Sequence, residues 1–317
     1  MPVFDRRPLA ILLMGPTASG KTDLAVDLVE RLPCDIVSVD SAMVYRGMDI
    51  GTAKPDAATR ARAPHHLVDI LDPAERYSAG RFLAEARAVA EGIAARGRVP
   101  LLVGGTMLYF RALQSGLAEL PPADPAVRAG IDARAAREGW AALHAELARL
   151  DPQAAARIEP ADRQRIQRAL EIVALTGRPA SAGWREPLRT GERAGDLKIA
   201  LAPADRAAMA ARIEKRFLRM MELGFLDEVR SLYERGDLGP DLPSMRSVGY
   251  RQLWEHLAGE ASLDAAVGRA ITATRQLAKR QLTWLRAEPR AEWVDALETG
   301  AFAQIKERVD RWLDARG

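Results

Sequence analysis

The run Gly15-Pro16-Thr17-Ala18-Ser19-Gly20-Lys21-Thr22 constrains this chain more than any other stretch. It fits G-x-x-x-x-G-K-[ST] at every fixed position. In that pattern the glycines let the backbone curl so that several N–H groups point inward, while a helix beginning near the lysine aims its positive end at the same spot. The flanks meet the requirement that separates real cradles from chance matches: an apolar run, Leu9 to Met14, leads in, and Leu24, Leu28 and Leu32 recur at helical spacing behind. Gly15 to Thr22 are therefore assigned to diphosphate binding. Lys21 adds a point charge, and the Thr22 hydroxyl is the usual Mg²⁺ ligand in this arrangement. The cradle alone does not say what is done with the phosphates.

Short Val/Ile/Leu runs recur at Ile36 to Val39, Val99 to Val103 and Leu197 to Leu201, with helical patterns between them, as in Phe82, Ala86, Val89 and Ile93 after Ser78. Strand alternating with helix predicts an α/β fold: a parallel, P-loop NTPase-like sheet flanked by helices. The alternation breaks at Leu120. Pro121, Pro122 and Pro125 punctuate the chain, and helical text without a convincing strand follows until the polar, Gly- and Pro-bearing stretch Gly183 to Gly195. We therefore expect a discontinuous core, 1–120 and 196–317, with a helical insertion domain at 121–195. At 317 residues, with 48% hydrophobic and 28% charged side chains, the chain can bury such a core.

Forty-six Lys and Arg against 43 Asp and Glu leave a formal charge of +3, so bulk charge says little about a polyanionic partner. Local clustering says more. Between Arg269 and Arg286, Arg275, Lys279 and Arg280 also fall on a helical segment without an acid, which suits a phosphate backbone or equally a basic surface helix with Leu277 and Trp284 packed inward. Cys34 is the only cysteine, which excludes an intramolecular disulfide. The apolar run at Leu9 is too short to span a bilayer. A cytoplasmic monomer that engages no membrane is expected.

In an open parallel sheet ligands bind beyond the carboxyl ends of the strands. Asp40 lies at one such end, where its carboxylate can serve as base or stand behind a magnesium ion, or else merely cap the next turn. Thr106, after Gly104-Gly105, suits contact with a nucleobase or amine, or an ordinary N-cap. Arg212 and Arg216 share a helix face, suited to clamping a pyrophosphate or to pairing with Glu214 and Glu222. His65 and His66 lack a third ligand at metal spacing, and no role is assigned to them.

Beyond the cradle, Ser38-Val39-Asp40-Ser41-Ala42-Met43-Val44-Tyr45 and Asp49-Ile50-Gly51-Thr52-Ala53-Lys54-Pro55 resemble the tRNA dimethylallyltransferase family, also called tRNA isopentenyltransferases. The resemblance continues in Pro64 to Asp69, Tyr77-Ser78, Gly104 to Tyr109, Gln164 to Arg168, Arg246 to Arg251 and Ala278 to Trp284, in the family's order over most of the chain. It implies transfer of a dimethylallyl group from dimethylallyl diphosphate to N6 of the adenosine adjacent to the anticodon on its 3′ side in tRNA, so that the P-loop holds a leaving group. It implies Asp40 as base, Thr106 positioning the amine, Arg216 clamping the diphosphate, and Mg²⁺ at Thr22.

The same resemblance implies tRNA anticodon stem-loop contacts at Asp40, Ser41, Ala42, Met43, Thr106 and Arg128. Further contacts fall at Gln164, Arg165, Ile166, Gln167 and Arg168 in the insertion, and at Arg246, Ser247, Val248, Gly249, Tyr250 and Arg251. The competing readings are a P-loop kinase of a small molecule, using ATP, and a non-catalytic nucleotide-binding RNA adaptor.

Overall fold

The computed structural model describes residues 8–117, 120–184 and 195–315. Chain contacts divide it into two compact units, Met1–Gln114 with Arg193–Gly317, and Ser115–Glu192. The seams thus fall at 115 and 192 rather than at 121 and 195. The first helical run past the glycines continues to Ser115, so the proline cluster lies inside the second unit and does not open it.

The first unit holds one six-stranded sheet in the order β3-β2-β4-β1-β5-β6, with every pairing parallel. Its strands are β1 (Ile11–Met14), β2 (Cys34–Val39), β3 (His65–His66), β4 (Val99–Gly104), β5 (Leu197–Ala202) and β6 (Glu292–Asp295). The helices between are α1 (Lys21–Val29), α2 (Ala57–Arg62), α3 (Ala79–Ala95) and α4 (Met107–Ser115). The P-loop NTPase-like sheet expected from the sequence is present. Parallel strands covered on both faces need apolar side chains on both, which is why β1 and β5 are buried along their whole length and read as runs without alternation. β2 starts earlier than its apolar run, at Cys34-Asp35. The Asp35 carboxylate can be buried there because Arg96 (2.9 Å) and Arg98 (2.6 Å) neutralise it. β3 and β6 have no apolar run and were not foreseen.

After β5 come α9 (Arg206–Glu222), α10 (Phe225–Tyr233), α11 (Tyr250–Leu257), α12 (Leu263–Arg286) and, beyond β6, α13 (Ala301–Asp314). The second unit is helical: α5 (Pro125–Glu138), α6 (Trp140–Leu150), α7 (Pro152–Ala155), α8 (Arg163–Thr176) and a 3₁₀ turn at Ala180–Trp184. It has its own core, including Leu143, Leu147, Ile166 and Ile172. Buried Asp151 accepts N–H from Ala154 and Ser181 and the Ser181 hydroxyl (3.0, 2.7 and 2.6 Å), joining α7 to the 3₁₀ turn. Among the described residues no helix is long and apolar enough to cross a membrane.

Candidate active site at the carboxyl ends of the strands

α1 begins at Lys21 with Gly20 as its N-cap at φ 87°, a left-handed conformation that a side chain disfavours. Ala18 adopts φ 62° without that freedom, and its carbonyl accepts a bond from Arg212 Nε on α9 (3.1 Å). The cradle's curl is thus held partly from outside. Lys21 Nζ donates to the Pro16 carbonyl at 2.7 Å and to Ser19 Oγ at 3.4 Å. Burial first, then the charge of Arg216, brings the Lys21 ammonium down to about 7, with Asp40 pulling the other way.

A cavity of about 560 Å³ adjoins the cradle, within the usual range for small-molecule pockets. Thr17, Ala18, Lys21, Thr22, Asp40, Thr106 and Arg216 all line it, with Ser41, Ala42, Met43, Arg246, Ser247, Val248, Tyr250, Arg280 and Trp284. Residues from six separate stretches of sequence therefore meet at one place.

Asp40 Oδ1 accepts N–H from Ala42 (2.8 Å) and Met43 (3.3 Å), so the carboxylate does cap the turn after β2, while Oδ2 is outside that turn. The capping reading holds, and the same residue lines the cavity. Thr106 Oγ1 accepts the Ser41 N–H at 3.2 Å, which leaves its own proton to donate. The reading of Arg216 as part of a solvated ion-pair face fails. Glu214 pairs with Arg275 (2.6 Å) and Glu222 with Arg219 (2.8 Å), while Arg216 is half-buried on the cavity wall. Burial lowers its pKa against the opposing pull of Asp40 and Asp23.

The inward packing considered for Trp284 is also wrong. It is 41% exposed, and Arg111 lies over its ring at 5.9 Å. In the basic stripe, Arg269 and Arg275 are paired with Glu255 and Glu214, whereas Arg280 lines the cavity. Arg246 and Arg251 are exposed, but Gly249 and Tyr250 are buried, and the Tyr250 hydroxyl donates to Glu228 at 2.5 Å.

In the second unit, Ile166 is fully buried, so its side chain cannot touch RNA. Arg128 binds Glu171 through two nitrogens (2.9 and 3.0 Å), and Arg168 binds Glu171 (2.6 Å) and the Pro121 carbonyl (2.6 Å). Gln167 donates to Asp132 (2.5 Å). Gln164 and Arg165 are exposed. His65 Nδ1 lies 2.6 Å from the Ala63 carbonyl, and burial lowers the pKa of His65 and of His66.

Two contributors, Glu228 and Gln281, were given no role by the sequence, and Arg212 takes a supporting one. Glu228 accepts the N–H groups of Asp49 (2.9 Å), Ile50 (2.7 Å) and Gly51 (3.1 Å), fixing a cavity wall. Gln281 bonds the P-loop, and Arg212 supports Ala18. For Arg212 the signal was its spacing of four from Arg216. Gln281 lies in the resembling stretch Ala278 to Trp284 but without a role attached, and nothing local marks Glu228.

The donor set fits Mg²⁺. Thr22 and Asp40 offer hard oxygens on one cavity, whereas no three His, Cys, Asp or Glu side chains converge among the described residues. Such a site suits a cation that takes its remaining ligands from phosphate and water.

Similarity to known proteins agrees with this geometry. The family model described as IPP transferase matches residues 43–288. The chain is 60% identical to the tRNA dimethylallyltransferase of Thioalkalivibrio sulfidiphilus, covering 97% of this chain and 96% of that protein. It is 59% identical to the protein of that name from Methylococcus capsulatus, with 98% of each covered. A crystal structure of the tRNA isopentenylpyrophosphate transferase of Bacillus halodurans superposes with TM-score 0.71, at 36% identity over 97% of both chains. A eukaryotic dimethylallyltransferase acting on tRNA gives TM-score 0.79 at 25% identity, covering 97% of this chain and 80% of that one. With that match and those relatives along nearly its whole length, this chain belongs to the IPP transferase family.

Proposed function

We infer that this protein is a tRNA dimethylallyltransferase that moves a dimethylallyl group from dimethylallyl diphosphate to N6 of the adenosine 3′-adjacent to the anticodon, releasing pyrophosphate. The observation that carries this reading is the convergence of Asp40, Thr106, Lys21 and Arg216 on one cavity beside the phosphate cradle. The names of its close relatives support it.

The N–H groups of Ala18 and of Gly20 to Thr22 hold the diphosphate, those of Gly15 and Thr17 being bonded to Gly104 and Gln281, with the Lys21 and Arg216 cations beside it. Thr106 donates its hydroxyl proton to the acceptor base and keeps the amine in line with the allylic carbon. The N6 lone pair forms the N–C bond as the C–O bond to diphosphate breaks, and the electron pair of that bond leaves on pyrophosphate. Asp40 Oδ2 takes the N6 proton. Lys21 and Arg216 stabilise the charge that develops on the leaving oxygen. Thr22 would hold Mg²⁺, which when bound screens the same charge.

An adenine in a folded anticodon loop must leave its stack to reach Asp40, and Arg246, Arg280 and exposed Trp284 at the cavity are suited to receive it. Gln164 and Arg165 of the second unit offer further RNA contacts. On this reading the enzyme is a cytoplasmic monomer.

The test supplies purified protein and Mg²⁺ with unmodified tRNA and either labelled dimethylallyl diphosphate or ATP labelled on the γ-phosphate. Label from the first in tRNA, without ATP, is expected. Transfer of the γ-phosphate to a small molecule without RNA would make the protein a kinase.

A further inference from the structure

We propose that Gln281 is a positioning residue that ties the diphosphate cradle to the acceptor side of the same site, an inference that rests on the transfer reading above. Its carboxamide on α12 bridges two stretches far apart in sequence. Oε1 accepts the Thr17 N–H of the P-loop at 2.9 Å, and Nε2 donates to the Gly105 carbonyl at 2.9 Å.

Gly105 is the residue before Thr106. A Cβ added there would lie 2.4 Å from Gln281 Nε2 and 3.0 Å from the Gly15 carbonyl. The glycine is needed so that the carboxamide can sit between the P-loop and the exit of β4. Gly15 N–H also bonds the Gly104 carbonyl at 3.2 Å, so the two backbones already touch at the strand ends. Gln281 continues that junction outward, from the last paired residues to the two loops that carry the reacting groups.

The chemistry of the bridge is selective for a carboxamide. Thr17 offers a donor and Gly105 an acceptor, so one side chain must present an acceptor and a donor on the same planar group. Glutamate supplies the first and loses the second. Leucine fills the space and supplies neither. Arg280 and Trp284, neighbours of Gln281 on α12, line the same cavity, so the helix that faces the acceptor also fixes the cradle.

Small misplacements of reacting groups cost large factors in rate. The variants Gln281→Leu and Gln281→Glu are compared with the wild type in steady-state kinetics, with inorganic pyrophosphate binding measured by calorimetry and Tm recorded for each. For Gln281→Leu we expect kcat about tenfold lower, KM for the prenyl donor and Kd for pyrophosphate each about tenfold higher, and KM for tRNA within about twofold of wild type. Gln281→Glu should fall between. Two results would overturn the proposal. One is a raised KM for tRNA with donor KM and pyrophosphate affinity unchanged, which marks an RNA contact. The other is a lowered Tm with kinetics and pyrophosphate affinity intact, which marks a packing role. Pyrophosphate binding is read without turnover, so wild-type protein that moves no prenyl group would defeat the functional reading while the cradle's dependence on Gln281 is still measured.

Discussion

Lys21 carries the pH dependence of the site. Burial and the neighbouring Arg216 hold its ammonium at about 7, against an ordinary value of 10.5. A diphosphate beside it favours the charged form and raises the value, so binding takes up a proton at any pH between about 7 and the raised value. The Lys21 contribution to affinity should be flat below pH 7 and fall above it. Lys21→Arg keeps the charge without titrating in this range. Calorimetry of pyrophosphate binding across about pH 6 to 9 should show the wild-type affinity, divided by that of the variant, falling by up to about tenfold per unit above pH 7. A constant ratio would contradict the assignment, because the ligand's own ionisation cancels.

At this scale the sequence was most informative where chemistry and position coincide. Lys21 and Thr22 follow from the motif, and Asp40 and Thr106 from the rule that ligands bind beyond strand ends. The roles of Gln281 and Glu228 were illegible because their partners are backbone N–H and carbonyl groups of distant loops, which no residue pattern records. Arg128 and Arg168 have a structural partner that the sequence did not reveal. Both are named as RNA contacts by resemblance, Arg168 within Gln164 to Arg168, and their guanidinium groups are also engaged with a buried carboxylate.

That carboxylate shows how an element is held in place. Glu171 of α8 is fully buried and accepts bonds from Arg128 of α5, from Arg168, and from the Asp124 N–H at 2.8 Å. Burial alone would raise the carboxyl's pKa, but Arg128, Arg168 and that N–H hold it below the ordinary value. Its stabilising effect is therefore present above about pH 4.3 and lost as pH falls below it. Glu171→Ala leaves two half-buried cations without their shared partner and should destabilise the helical unit by roughly 3 kcal/mol at pH 7. Urea unfolding checks this, and the difference from wild type should shrink at about pH 3.

Elements with their own start signals were readable in advance. Asp162 accepts the Arg165 N–H at the start of α8, and Ser78 the Arg81 N–H at the start of α3. β3 and β6 were not readable. They are the two edge strands, short and half-polar, and they exist because β2 and β5 offer them a backbone to pair with. Pairing of that kind is a property of the sheet and leaves little trace in the strand's own residues.

Across the whole molecule, the fold brings residues 17, 18, 21, 22, 40, 106, 216 and 281 to one cavity, although more than half the chain separates the first from the last. The order of strands does this, since β1, β2 and β4 are neighbours and release their loops on the same side. A kinase could share that architecture, so the decisive claim concerns which bond is made. Nucleosides from tRNA treated with the protein, Mg²⁺ and dimethylallyl diphosphate, digested and resolved by mass spectrometry, give the most direct answer. N6-dimethylallyladenosine is expected with the wild type in the absence of ATP, and Asp40→Asn should make it about 10²- to 10⁴-fold more slowly. Adenosine left unmodified by the wild type, or product formed at an undiminished rate by Asp40→Asn, would contradict the account.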